Sequence, residues 1–160
     1  MAEKQHHYST LIVWTGNKGV GTRSYRDYGR DHEIHAEGKP SILGSSDPSF
    51  RGDGARWNPE ELLVASVSAC HKLWYLHLCS VGGVVVTDYE DHAEGVMLET
   101  EDGGGRFSSV TLRPRVRLAA GSDSARAASL HYDAHEKCFV ANSVNFPIAI
   151  EPVFETEDPA

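Results

Sequence analysis

Cysteine is scarce in this chain of 160 residues, which holds three thiols, an odd number. That count does not suit the disulfide framework of a small secreted domain. It points to a reducing, cytoplasmic setting in which any working cysteine is a thiol. Basic charge is also short: 15 Lys and Arg face 23 Asp and Glu, a formal net charge of −8. Phosphate neutralisation needs a basic face, so the balance argues against nucleic acid as a partner. An acidic surface suits an anionic membrane equally poorly. No hydrophobic run is long and clean enough for a membrane span, because the longest, Leu62–Val81, is interrupted by Ser66, Ser68, His71, Lys72 and His77. The opening MAEKQHHYST lacks the apolar core and cleavage site of a targeting signal. Residues 1–7 read as a solvated, flexible leader, and there is no internal repeat or low-complexity segment.

What remains has the makeup of one folded domain spanning 1–160. Hydrophobic residues make up 40% and charged residues 24%, and the length suffices for a core without staples. Tyr8–Trp14 (YSTLIVW) predicts a strand, the glycine-rich Gly16–Gly21 a turn, and Thr22–Tyr28 and His32–Ala36 further strands. Residues 37–57, rich in Gly, Ser, Pro and Asp, read as a long loop, and loops of that length tend to be functional. Asn58-Pro59-Glu60-Glu61 then supplies an N-cap, a proline for the first helical position and an acid placed to close a capping box. The helix it opens runs to just before Gly82-Gly83 and is apolar on nearly every face, which predicts a central helix surrounded by protein.

Beyond it, Val84–Val86 and Ala93–Glu101 read as strands. Phe107–Leu118 alternates Val110, Leu112, Val116 and Leu118 with Thr111, Arg113, Arg115 and Arg117, the pattern of one buried and one wet face. Pro114 falls on the apolar phase, which predicts an edge or a bulge. Ser122 or Asp123 caps a second helix reaching Cys138, and Phe146–Phe154 predicts a closing strand. The order of elements indicates an α+β fold.

Two segments carry cysteines in a recognisable setting: Asn58-Pro59-Glu60-Glu61-Leu62-Leu63 with Ala69-Cys70-His71, and Ala134-His135-Glu136-Lys137-Cys138 with Asn142-Ser143-Val144-Asn145-Phe146-Pro147. Together with the element order, they resemble the OsmC/Ohr family of peroxide-handling proteins, in its OsmC-like branch. The resemblance covers nearly the whole chain. It implies an OsmC-like fold, with antiparallel sheets around a long buried helix in an intertwined homodimer whose sites lie at the subunit interface. It also implies a peroxidase that reduces organic hydroperoxides in stress defence, with Cys70 as the peroxidatic thiol and Cys138 as the resolving thiol. An external dithiol or lipoyl-type reductant would reset it, with no bound cofactor and no metal. Burial opposes a thiolate, so a cation must favour it; the family uses an arginine oriented by a glutamate. Glu60 matches that glutamate. It lies ten residues before Cys70, a rise of about 15 Å on one helix, so it can serve only the Cys70 of a partner chain. Arg51 matches the arginine of OsmC-type members, with Arg56 as second choice. Phe139 after Cys138 and His71 after Cys70 depart from the better-characterised members. His71, as a neighbour of the thiol, is a further candidate.

Two other readings compete. Cys70, His71, His135 and Cys138 offer the ligand types of a zinc site, although Cys70 and His71 diverge on a helix. In a non-catalytic binding protein, Trp57, Trp74, Tyr75, Phe139 and Phe146 would wall an apolar pocket. Cys79, about half a turn of phase from Cys70, reads as a bystander.

Overall fold

In the computed structural model, which describes residues 2–159, the chain forms two compact units divided at Leu62/Leu63. The first unit carries an antiparallel sheet in the order β1–β2–β3, formed by β1 (Leu11–Trp14), β2 (His32–His35) and β3 (Ile42–Gly44). Ile12 lies opposite Ile34, and Glu33 pairs both with Val13 and with Leu43. Residues 2–10 carry no regular structure.

Two expectations fail in this unit. Thr22–Tyr28 forms turns rather than a strand. The Asn17 side chain accepts from the N–H groups of Gly19 and Gly21, both at positive φ. Arg30 then lies 4.4 and 3.9 Å from the ring centroids of Tyr25 and Tyr28. Its guanidinium also donates to the carbonyls of both tyrosines, taking acceptors a strand ladder would need. Nor is 37–57 a bare loop, because it contains β3 and a 3₁₀ turn (Pro48–Phe50) capped by Asp47. The buried Ser45 hydroxyl donates to Asp31 at 2.9 Å and accepts from the Asp53 N–H at 3.1 Å. Ser45 and Trp57 close the segment by backbone bonds, Ser45 N–H to Trp57 O and Trp57 N–H to Leu43 O. Its polar residues satisfy one another locally.

The helix α1 (Pro59–Val81) starts as its sequence predicts. The Asn58 side chain accepts from Glu61 N–H at 2.8 Å, and Glu61 accepts from Asn58 N–H at 3.2 Å, the reciprocal capping box. α1 is not surrounded by its own chain. Its fully buried residues, Val67, His71, Tyr75 and Cys79, form one stripe at a spacing of four, while Leu73 is 62% and Val81 68% exposed. By length and composition alone α1 could also cross a bilayer, but Lys72 and that packed stripe argue for a helix seated on its own unit.

The second unit adds two three-stranded sheets and a helix. One sheet has the order β4–β7–β9, from β4 (Val86–Asp91), β7 (Pro114–Leu118) and β9 (Val153–Thr156). The other is β5–β6–β8, from β5 (Glu94–Glu99), β6 (Gly105–Leu112) and β8 (Ile148–Ile150). The run expected as one strand is therefore two, as is the closing strand. The alternation nevertheless continues through the break, since Val110, Leu112, Pro114, Val116 and Leu118 are all buried. At the crossing, Arg113 N–H leaves the ladder for the Asp91 carboxylate, 2.7 Å away. Pro114 takes the first position of a central strand, where its missing N–H is tolerated; the expected edge is not found. Pro152 divides the closing segment, and β8 and β9 run parallel to β6 and β7.

Helix α2 (Ser124–Lys137) is capped by Asp123, whose side chain accepts from Arg126 N–H at 3.0 Å. Two apolar clusters result. Tyr75, Cys79, Val116, Leu118, Ala127 and Leu130 belong to one, and Val67, Val110 and Leu112 form the other.

Candidate active site

Cys70 is half-buried on α1, and Cys138 is buried at the end of α2, where it forms the helix C-cap. The two thiols are near enough for Cys70 to perturb the Cys138 thiol. Burial, reinforced by the Cys70 thiol, pushes the Cys138 thiol up to about 11, so Cys138 stays protonated at neutral pH. Its sulfur also accepts the Ala141 N–H at 3.4 Å.

The residues after Cys138 account for their own presence. The Asn142 side chain donates to the carbonyls of Glu136 and Cys138 at 3.0 and 3.1 Å, and the Ser143 hydroxyl donates to Phe139 O at 2.7 Å. These bonds satisfy orphan carbonyls at the end of α2 and hold the turn that carries Cys138. Phe139 is exposed and meets Trp74 edge-on at 5.7 Å.

His71 meets α2 at His131. It is 1% exposed, and its Nε2 lies 2.9 Å from Nδ1 of His131, a buried residue absent from the sequence-based site. The two rings lie edge to edge and nearly parallel, with centroids 5.2 Å apart, and Tyr75 stacks on His131 at 3.8 Å. The Tyr75 hydroxyl donates to Ala127 O at 3.1 Å. Burial lowers His71 to about 4, with His135 adding to the shift; burial and then His71 lower His131 to about 3. Both imidazoles are therefore neutral at physiological pH. Burial likewise raises Tyr75, Tyr89 and Cys79. The four-residue recurrence of Val67, His71, Tyr75 and Cys79 is the one sequence signal that could have placed His71 in the core.

The remaining candidates belong to the first unit or the start of α1. Arg51 is exposed, adopts φ 65° as it closes the 3₁₀ turn, and lies 5.9 Å over Tyr25. Among the described residues it meets no carboxylate. Arg56 is committed: its Nε lies 3.5 Å from Asp31 and 3.8 Å from Asp53, and it donates to His32 O. Glu60 is half-buried in the first turn of α1, while the capping bond goes to its neighbour Glu61.

Among the described residues neither competing site is found with all its expected members together. Among the described residues no three His, Cys, Asp or Glu side chains are grouped to hold a metal, and His71 is engaged by His131. Of the aromatics expected to wall one pocket, Tyr75 lies in one buried cluster and Phe146 against the other.

The chain matches the family model described as OsmC-like protein over residues 52–153. A comparison with curated proteins gives no match. Among solved structures it is similar to an OsmC-like protein of unknown function from Vibrio cholerae, with 29% identity and a TM-score of 0.84. That match covers 93% of this chain and 100% of that one. It is also similar to the organic hydroperoxide resistance protein OsmC of Legionella pneumophila (20% identity, TM-score 0.66, covering 94% and 99%). A third is an organic hydroperoxide resistance protein of Bacillus subtilis (19% identity, TM-score 0.63, covering 94% and 98%). With the family model matching well over half its length, this chain belongs to the family of OsmC-like proteins.

Proposed function

We propose that this protein reduces organic hydroperoxides through a cycle of two thiols. One observation supports the reading: the two motif cysteines, far apart in sequence, come near enough for Cys70 to perturb the Cys138 thiol, while Cys79 is buried in the apolar cluster of Tyr75. Exposure supports the roles expected of them. A hydroperoxide can reach the half-buried Cys70, whereas Cys138 is buried and protonated. The Cys70 thiolate attacks the O–O bond, giving a sulfenic acid at Cys70 and releasing the alkoxide, which takes up a proton as the alcohol. Cys138 then loses its proton and attacks that sulfur, which forms the disulfide and expels water. An external dithiol, such as a dihydrolipoyl group, returns both thiols to the reduced state and leaves as its own disulfide.

The thiolate requires a cation, and Arg51 is the better choice because among the described residues no carboxylate engages it, while Arg56 is held by two. Glu60 orients that arginine at the Cys70 of a second chain, so the working unit is a homodimer in the cytoplasm. The apolar face that α1 leaves bare supports this, including a groove of about 310 Å³ lined by Leu73, Trp74 and His77.

The test is consumption of cumene hydroperoxide with dithiothreitol. Cys70→Ser should abolish turnover. Cys138→Ser should retain a single turnover and then accumulate over-oxidised Cys70, seen by mass mapping. Arg51→Ala should lower kcat/KM by about 10²-fold or more, with Arg56→Ala acting mainly on stability. A Cys70→Ser protein at full activity refutes the mechanism.

A further inference from the structure

We infer that the His71–His131 hydrogen bond is the positioning element that sets α1 against α2, and through them Cys70 against Cys138. The inference rests on reading those cysteines as a redox couple.

His71 directly follows Cys70 on α1, so neither can shift without the other. His131 precedes Cys138 by seven residues, two turns of α2, which returns the chain to the same face within about 20°. Both helices thus carry an imidazole and a thiol on their shared contact. Tyr75 continues the contact, stacking on His131 and donating to Ala127 O. From His71 to Tyr75 α1 advances four residues while its partners on α2 go back four, from His131 to Ala127, which sets the helices antiparallel at this contact.

Apolar contact has no direction and tolerates sliding, whereas a 2.9 Å hydrogen bond between rings fixes both distance and angle. The bond comes at a cost. Two neutral imidazoles hold two ring N–H groups and two lone pairs, and the shared bond uses one of each. One N–H and one lone pair remain, on His71 Nδ1 and His131 Nε2, both buried without a partner. Each such group loses its hydration without a replacement bond. An apolar pair would fill the space without that cost. What the imidazoles add is registration of the two helices that carry the thiols.

The experiment measures the Cys70–Cys138 disulfide without any hydroperoxide. Full-length protein is equilibrated in glutathione redox buffers at pH 7.5, quenched and mapped by mass spectrometry, with circular dichroism reporting the fold. His131→Phe keeps an aromatic ring against Tyr75 and removes the bond. It should lower the disulfide equilibrium constant at least tenfold, a reduction potential about 30 mV less negative. The double variant His71→Gln/His131→Asn places an amide donor and acceptor near the two bonded ring nitrogens, and should restore the constant to within threefold of wild type. A folded His131→Phe protein with the wild-type constant overturns the inference. So does a double variant as impaired as His131→Phe. If His131→Phe does not fold, the double variant decides: a wild-type constant supports the inference and a tenfold loss overturns it. A wild-type protein that forms this disulfide but turns over no hydroperoxide overturns only the proposed function. One that never forms it overturns both.

Discussion

The two buried clusters of the second unit draw on one run of alternating residues but are built from different chemistry. Val110 and Leu112, before the crossing at Arg113, join Val67 in a cluster packed round by Val64, Phe107, Phe146 and other apolar side chains. Val116 and Leu118, after it, join Tyr75 and Cys79 beside the neutral His71–His131 pair and the buried, unpartnered Tyr89 hydroxyl. The first cluster is held by burial alone. The second gives up part of its burial gain to polar groups that fix orientation, and it does so where α1 meets α2. Uniform packing would serve stability better, so the difference marks where the fold needs geometry rather than mass.

The largest effect should come from the dry cluster. Leu112 is fully buried, and Leu112→Ala should cost about 2–5 kcal/mol in urea unfolding. Burial alone holds that cluster, so the loss should be the same at pH 5 and pH 8; a loss that varies with pH would break the distinction.

The wet cluster should respond to acid instead. His71 and His131 bind protons in the folded state only near pH 4 and 3, but near 6.5 once unfolded. The stability they confer is therefore present above about pH 6.5 and lost as pH falls towards 4. The slope should reach at most about 1.4 kcal/mol per pH unit for each histidine. Burial is the main cause for both, with His135 on α2 adding to the shift of His71. Tyr75 and Cys79 from α1 and Tyr89 from β4 stay neutral in this range, since burial raises all three. His71→Gln/His131→Asn should flatten this part of the profile, and an unchanged slope in that variant would assign the acid sensitivity elsewhere.

The same contrast explains what could be read from residues alone. The start of α1 was legible because Asn58, Pro59 and Glu61 act within one turn. The alternation of Val110 to Leu118 was legible for the same reason, since a period of two is local. The division of that run between two sheets was not, because it depends on pairing with Ile148–Ile150 and Val153–Thr156, more than thirty residues on. Thr22–Tyr28 has strand-forming residues, but Arg30 captures its carbonyls, an outcome propensity does not encode. The thiols stood out through the residues around them. His71 was noticed only as the neighbour of Cys70, because its partner lies sixty residues away.

The smallest effect concerns the joint between the clusters. Asp91, the last residue of β4, accepts the Arg113 N–H with one carboxylate oxygen and the Ser68 hydroxyl with the other. It ties α1 to the point where the chain passes from β6 to β7. In Asp91→Asn one oxygen remains for Arg113 N–H, while the amide can donate to the Ser68 oxygen. Only the charge assistance is lost, and the cost should be about 1 kcal/mol. The response should be local if each cluster is its own cooperative unit. Hydrogen exchange at the Arg113 amide should then rise by up to about tenfold, with Val110 and Val116 amides unchanged. If all three amides lose protection together, Asp91 is a keystone of a single core, and the two chemistries are parts of one cooperative structure.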